Sequence, residues 1–119
     1  RDAIIIPHSY LKKSAAYTTQ GKAIFEKIAK ANPNVFLVLC GHCRDISYKN
    51  VQLDDDGDGN PDRTVYAILS NFQGSKAGGG GYMRILDFRD SDIYIYTYSP
   101  YYDSCEYPKG KTEATVPLP

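Results

Sequence analysis

The fold of this chain is decided by one stretch of sequence, Val35-Phe36-Leu37-Val38-Leu39-Cys40-Gly41-His42. Its continuous apolar run predicts a strand that is buried on both faces, as in a parallel sheet. A second apolar run, Ala3-Ile4-Ile5-Ile6-Pro7, also ends in a histidine, His8. Because the carboxyl ends of neighbouring parallel strands meet at one edge of an α/β sheet, we expect both histidines to converge there. They could hold a transition metal, or simply make structural hydrogen bonds.

The segment between the two runs has a helical pattern. From Thr19 to Ala31 the apolar residues share one face, Thr18 or Thr19 can cap the start, and Asn32-Pro33-Asn34 ends the segment. The apolar face consists of Ala23, Ile24, Phe25, Ile28 and Ala29. Strand, helix and strand at this spacing predict a βαβ unit.

The second half of the chain predicts an antiparallel meander. Residues 46–53 and 63–72 have the composition of strands on either side of an acidic turn. Further strands are expected at residues 82–88, after a four-glycine run, and at residues 93–98. The last segment is rich in Pro, Lys and Thr, so we expect one domain over residues 1–106 and an extended tail over residues 107–119.

Length and charge restrict the class of protein. The chain has 119 residues, which suits one domain, and its 14 basic and 14 acidic residues cancel. This balance gives no electrostatic reason to expect a nucleic acid or an anionic membrane as partner, and no apolar run is long enough to span a bilayer. The chain begins at Arg1 instead of Met, so we expect it to be part of a longer protein. Tyrosines crowd residues 94–102, which indicates a half-buried sheet or a surface that contacts carbohydrate.

An acidic loop, Asp-Asp-Asp-Gly-Asp-Gly-Asn-Pro-Asp, occupies residues 54–62. Carboxylates at its positions 1, 3, 5 and 9, with Gly at position 6, match the first half of an EF-hand loop. The candidate calcium-binding residues are Asp54, Asp56, Asp58, Asn60 and Asp62. Position 12 is Val65 instead of a bidentate glutamate and the flanks are strands, so a structural Ca²⁺ loop like those of secreted and cell-surface proteins is expected. The alternative is a solvated hairpin turn, because Asp, Gly, Asn and Pro all favour turns.

The residues Cys40-Gly41-His42-Cys43 form a C-x-x-C motif of the type found in disulfide isomerases. The first cysteine of such a motif needs a helix N-terminus beneath it to lower its pKa. Residues 44–51 have no amphipathic helical pattern, and the βαβ unit precedes the motif. A thiol–disulfide oxidoreductase is therefore the least favoured candidate function, and the third cysteine, Cys105, does not suggest a disulfide framework.

The order of these elements resembles the C-terminal half of calcineurin-like metallophosphoesterases, in particular the secreted bacterial members. In that family a late histidine follows a buried strand and a Gly-His-x-His motif follows the next strand, as His8 and Gly41-His42 do here. Three downstream segments, Val65–Gln73, Gly79–Leu86 and Thr97–Pro100, are similar to the closing strands of the family. The resemblance covers nearly the whole chain. It implies an α/β fold, the second half of an αββα sandwich, with one βαβ unit followed by an antiparallel meander.

The resemblance also implies roles for individual residues. His8 and His42 would be ligands of one divalent transition metal, either Mn, Fe or Zn. Arg44 stands where the family has its second histidine; it is the candidate catalytic residue, because an arginine can hold a phosphate through two parallel hydrogen bonds. Asn71 and Gln73 would contact the phosphoester substrate near the same rim. The family motifs Asp-x-His, Gly-Asp-x-x-Asp and Gly-Asn-His-Glu/Asp are not in the chain, so most metal ligands would come from an upstream half of the same domain.

We therefore expect a fragment of a metal-dependent hydrolase that cleaves phosphate mono- or diesters, and we expect the fragment itself to be inactive. The rival interpretation is a non-enzymatic, calcium-stabilised binding module of an exported protein, in which both histidines are structural. The calcium loop favours a secreted or cell-surface location, because such loops often need the high calcium concentration outside cells.

Overall fold

The central element of the fold is β2, Val35–Cys40, which lies inside a four-stranded sheet in a computed structural model that describes residues 1–107 and 113–119. Strands β1, Ala3–Ile5, and β4, Arg63–Asn71, flank β2 and run parallel to it. Strand β3, Asp45–Leu53, completes the order β1-β2-β4-β3 by pairing antiparallel with β4. The protein is thus mixed α/β with two sheets and few helices, which confirms the expected α/β class in this coarse form.

The connection from β1 to β2 runs through one helix. Helix α1, Thr19–Ile24, begins at the Thr18 cap, whose Oγ1 accepts the backbone N–H of Gly21 at 2.9 Å. It continues directly into a π-helical turn, Phe25–Ala29, in which the Lys30 N–H donates to the Phe25 carbonyl at 2.8 Å. The predicted βαβ unit is present, and of the two candidate caps, Thr18 and Thr19, the structure uses Thr18.

The π-helical turn changes which side chains of this segment are buried. The expected face included Ala23 and Ile28, but both are exposed, Ile28 by 44%. The buried residues are Gly21, Phe25 and Ala29. A π-helical turn contains more residues per turn than an α-helix, so residues after Ile24 rotate away from the positions that a 3.6-residue period predicts.

The core of this part of the chain lies where the helical segment packs toward the sheet. The cluster contains residues of β2, β3, β4 and the helical segment, together with two residues of the loop after β1. Its buried members are Tyr10, Leu11, Phe25, Ala29, Val35, Val38, Cys40, Leu53, Val65, Ala67 and Leu69. Contact between the loop and the helix depends on Gly21, where a Cβ atom would lie 2.0 Å from the Tyr10 carbonyl oxygen.

Arg63 ties the start of β4 to the elements around it. Its guanidinium donates to the carbonyl oxygens of Ala29 at 3.3 Å, Lys30 at 2.9 Å and Val35 at 3.2 Å. The same group pairs with the Asp55 carboxylate through Nε and Nη2. The largely buried Arg63 side chain therefore supplies hydrogen bonds to carbonyl groups at the end of the helical segment. It also anchors the acidic hairpin through Asp55.

The chain divides into two compact units, Arg1–Asn71 and Phe72–Pro119. The second unit contains a short turn of helix, α2, Lys76–Gly79, and an antiparallel sheet in the order β5-β6-β7. The strands of this sheet are β5 Met83–Phe88, β6 Asp92–Tyr98 and β7 Ala114–Pro117. Buried and half-buried residues alternate along β6, as the alternating sequence predicts.

Strand β7 lies in the segment that we expected to be an extended tail, residues 107–119. It is extended, but it also pairs with β6, with Ile93 opposite Val116. Val116 is buried, so the segment contributes to the sheet instead of projecting from it. Residues 108–112, which also fall in the expected tail, lie outside the described residues. In the described ranges, no helix combines the length and apolar character needed to cross a membrane.

We predict that Gly21→Ala destabilises the protein by about 1–3 kcal/mol, the usual cost of overpacking. The added Cβ would collide with the Tyr10 backbone, although helix propensity alone would favour alanine by up to about 1 kcal/mol. The measurement is the free energy of unfolding in urea. Gly41→Ala is the control, since the nearest atom to a Cβ there is the Ser70 carbonyl oxygen at 3.9 Å. An equal or higher stability of Gly21→Ala would contradict the close approach.

Candidate functional site

The two histidines lie side by side. His8 follows β1, His42 follows β2, and Nε2 of His8 lies 3.0 Å from Nδ1 of His42. The ring centroids are 4.8 Å apart with the planes inclined by 62°. The parallel pairing of β1 with β2 brings the two histidines together, because both strands end at the same edge of the sheet.

Backbone contacts hold both histidines in position. The Gly41 N–H donates to the His8 carbonyl at 3.2 Å, which links the two strand ends directly. Asn71, the last residue of β4, donates from Nδ2 to the His42 carbonyl at 2.9 Å. His42 has a φ of 62°, a left-handed conformation that is uncommon for a residue other than glycine. Such strain often occurs at functional sites, where surrounding contacts maintain it.

The arrangement of the imidazoles suits two kinds of chemistry. A neutral imidazole has one donor and one acceptor nitrogen, so the pair can share a proton in an ordinary hydrogen bond. Two imidazole nitrogens bound to one metal at about 2.0–2.1 Å are also separated by about 3 Å when they occupy neighbouring coordination positions. Both rings are exposed, so a metal or a substrate could reach them from solvent.

Asn71, Arg44 and Gln73 were also expected at this rim, and their surroundings differ from one another. Asn71 does meet His42, but it contacts the backbone carbonyl and acts as an anchor for the histidine. This positioning role was not foreseen, and the only sequence signal for it was an asparagine at the end of a strand. Arg44 is exposed two residues after His42. Gln73 is exposed and belongs to the second unit.

The acidic loop forms a compact turn between β3 and β4. Asp54, Asp56 and Asp58 each present a carboxylate oxygen, and these atoms lie within 4.8 Å of one another. The Asp54 carboxylate also accepts the N–H groups of Gly57 at 2.6 Å and Gly59 at 2.8 Å. The Gly59 and Gly57 amides hold the pKa of Asp54 below its usual value, so this carboxylate stays ionised in mildly acidic solution.

Two further residues of the predicted calcium set shape the loop. Asp62 accepts the Asp55 N–H at 2.6 Å, and the Asn60 N–H donates to Asp58 at 2.7 Å. The three grouped carboxylates are therefore those at positions 1, 3 and 5 of the predicted register. Val65, at position 12, is buried in β4, and its side chain has no oxygen that could bind Ca²⁺.

The C-x-x-C motif lies at the end of a strand instead of the start of a helix. Cys40 is the last residue of β2 and is buried, Cys43 is half-buried, and both are free thiols. Burial raises the pKa of Cys40 and outweighs hydrogen bonds from the backbone of Leu11 and Tyr10. A reactive thiol needs the opposite shift, so the surroundings of Cys40 favour a core thiol.

Comparison with known proteins identifies a relative whose name states no function. Over 103 residues the chain is 46% identical to an uncharacterized protein, YvnB, of Bacillus subtilis (strain 168). The alignment covers 85% of this chain and 8% of that protein, so the chain spans less than a tenth of the length of the curated relative it matches. No protein-family model matches the chain. No solved structure matches it either.

We predict that Cys40 is alkylated far more slowly by iodoacetamide at pH 8 than Cys105, which is exposed. Burial limits access to Cys40, and its raised pKa keeps it protonated where an ordinary thiol, with a pKa of about 8.5, is partly ionised. Peptide mass spectrometry over time measures each rate, and Cys105→Ser identifies the fast phase. Preferential alkylation of Cys40 below pH 7 would instead indicate a low-pKa thiol and would support the oxidoreductase interpretation.

Proposed function

We propose that the chain is the C-terminal half of a calcineurin-like metallophosphoesterase domain and that the parent protein hydrolyses phosphate mono- or diesters. The observation that carries this proposal is the 3.0 Å separation of the His8 and His42 ring nitrogens at the ends of two adjacent parallel strands. The spacing fits two nitrogen ligands in neighbouring positions on one transition metal. The resemblance described above assigns the same two residues to one metal.

In this proposal each residue of the rim has a distinct task. His8 and His42 bind the metal, which could be Mn, Fe or Zn and which when bound polarises a phosphoryl oxygen and makes water more acidic. Asn71 holds the His42 backbone, which fixes the point from which the imidazole reaches the metal. The exposed Arg44 can donate two hydrogen bonds to a phosphate. Two imidazoles are too few ligands for a catalytic site, so the upstream half of the domain supplies the others.

We predict that Mn²⁺ broadens the imidazole proton signals of both histidines at substoichiometric concentration. Mn²⁺ is chosen because it has little preference for the nearby thiols. The chain has only two histidines, so proton NMR observes the site without labelling. His8→Ala should weaken the broadening at His42 by about tenfold or more, and His42→Ala should do the same at His8, because each nitrogen supplies half of the protein ligands.

Asp54→Asn is the matched control for this experiment, since it removes a carboxylate of the acidic loop and leaves the histidines intact. It should leave the histidine broadening unchanged. Unaltered broadening of His42 in the His8→Ala variant would exclude a shared metal. The 119-residue chain should not hydrolyse an aryl phosphate, and metal-dependent hydrolysis that His42→Ala abolishes would show that no upstream half is required.

A second candidate function is a calcium-stabilised module of an exported protein, and it rests on the acidic loop. We propose that the grouped carboxylates of Asp54, Asp56 and Asp58 bind Ca²⁺, with Asn60 and Asp62 completing the loop. Like charges this close repel one another, and a divalent cation removes the repulsion. The proposed location is the exterior or the surface of the cell, where calcium is abundant. Both proposals can hold for one protein, because the two sites use different residues.

We predict that Ca²⁺ at about ten times its Kd raises the Tm by about 5 °C, because an ion that binds only the folded loop stabilises it. Asp56→Asn should abolish most of the rise; asparagine can still accept the Asp58 N–H as Asp56 does at 3.1 Å, so the loop keeps its contacts. Asp90→Asn, at an exposed aspartate in the second unit, should keep the full response. A Tm that does not change up to about 10 mM Ca²⁺, above the affinity range of extracellular modules, would leave the loop a simple turn.

A further inference from the structure

The second unit contains a cavity of about 530 Å³ that neither proposed function uses. Its volume falls in the range of small-molecule sites, about 300–1,000 Å³. Three tyrosines, two serines, a lysine and a glutamate line it. They are Tyr82, Tyr102, Tyr107, Ser75, Ser104, Lys76 and Glu106. Crowded tyrosines are visible in the sequence, but the cavity is not, because its residues come from separate segments.

The four-glycine run packs behind two of the tyrosines that line the cavity. At Gly80, with a φ of 60°, a Cβ would lie 2.7 Å from the Tyr102 ring and 2.9 Å from the Tyr82 ring. The rings therefore pack directly against bare backbone that only glycine provides without strain. The buried Ser99 fixes the same region, since its hydroxyl bonds the Gly80 carbonyl and accepts the Tyr102 N–H at 3.1 Å.

Hydrogen bonds also hold the other two rings. The Tyr82 hydroxyl donates to the Glu106 carbonyl at 3.1 Å, and the Tyr107 hydroxyl lies 3.0 Å from Ser75 Oγ. Tyr107 is buried, whereas 46% of the surface of Tyr102 remains exposed. The cavity thus has a preformed aromatic wall with one ring available to a ligand.

The charges of the lining restrict the ligand. Lys76 and Glu106 oppose each other in sign, so the cavity has no net attraction for an anion such as phosphate. A quaternary ammonium needs rings spaced around it, but Tyr82 is in contact with Tyr102 and Tyr107 at centroid distances of 5.8 Å and 5.1 Å. A neutral polyhydroxylated ring suits the cavity better, since its C–H face can lie on an exposed tyrosine while its hydroxyls meet both donors and acceptors.

We infer that this cavity is a binding site for a neutral saccharide, with a sugar ring stacked on Tyr102 and its hydroxyls bonded to Lys76 and Glu106. The inference does not depend on the phosphoesterase proposal, since all its residues lie in the second unit. On this assignment the protein recognises a carbohydrate through the Phe72–Pro119 unit, whatever chemistry the histidine rim performs.

The test is a titration of the 119-residue chain with three neutral probes, maltotriose, cellotriose and tri-N-acetylchitotriose, observed by saturation-transfer NMR and by amide shifts. At least one probe should bind with a Kd below about 10 mM, and Tyr102→Ala should weaken its binding by about fivefold or more. Tyr101→Ala is the matched control: Tyr101 is 71% exposed beside Tyr102 but does not line the cavity, so binding should persist. His42→Ala should also retain binding, which separates this test from that of the metal site.

Three results would overturn the inference. The first is the absence of binding for all three probes while circular dichroism shows a folded chain. The second is equal weakening by Tyr102→Ala and Tyr101→Ala, which would indicate loose contact with surface tyrosines. The third is binding of inorganic phosphate or choline in place of the saccharides, which would assign the cavity to a charged ligand.

Discussion

The parallel pairing of β2 with β1 and β4 is the constraint on which the rest of the first unit depends. Strand β2 has a parallel neighbour on each side, β1 along its first part and β4 along its second, so its position and direction are defined by the sheet. The same pairing requires a crossover between β1 and β2, and the helical segment that supplies it packs close to the loop after β1 at Gly21. The exit points of the two strands follow from these contacts, and so does the meeting of His8 with His42.

This origin of the histidine pair matters for its interpretation. The rings are held by backbone links at Gly41 and Asn71 that do not involve the imidazoles, so ring chemistry is separable from the stability of the sheet edge. The left-handed conformation of His42 carries a cost that a plain strand ending would avoid. A purely structural pair of exposed histidines would gain little in return, since an exposed hydrogen bond contributes little net stability. This imbalance supports the proposed metal site at the histidine pair.

The acidic loop and the cavity illustrate two ways in which the chain holds polar groups near one another. In the loop, backbone N–H groups of Gly57 and Gly59 hold the Asp54 carboxylate, and Arg63 pairs with Asp55. In the cavity, opposite charges from Lys76 and Glu106 balance, and the aromatic rings provide the rigid surface. The first arrangement concentrates negative charge and suits a cation, whereas the second is neutral and suits an uncharged ligand. The proposed sites are therefore chemically distinct and can be tested independently.

The sequence by itself determined the α/β class, the βαβ unit, the strand pair around the acidic loop and a threonine cap at Thr18 or Thr19, because apolar period and turn residues are local signals. Only the tertiary structure decided which side chains of the helical segment are buried, since the π-helical turn at Phe25–Ala29 shifts Ile28 outward. It alone assigned Ala114–Pro117 to a sheet, because pairing with β6 depends on residues distant in the chain. The sequence indicated that His8 and His42 converge, but the 3.0 Å contact and the anchoring role of Asn71 required the register of three strands. Short apolar runs predict strands well, whereas side-chain geometry depends on long-range packing that no local pattern encodes.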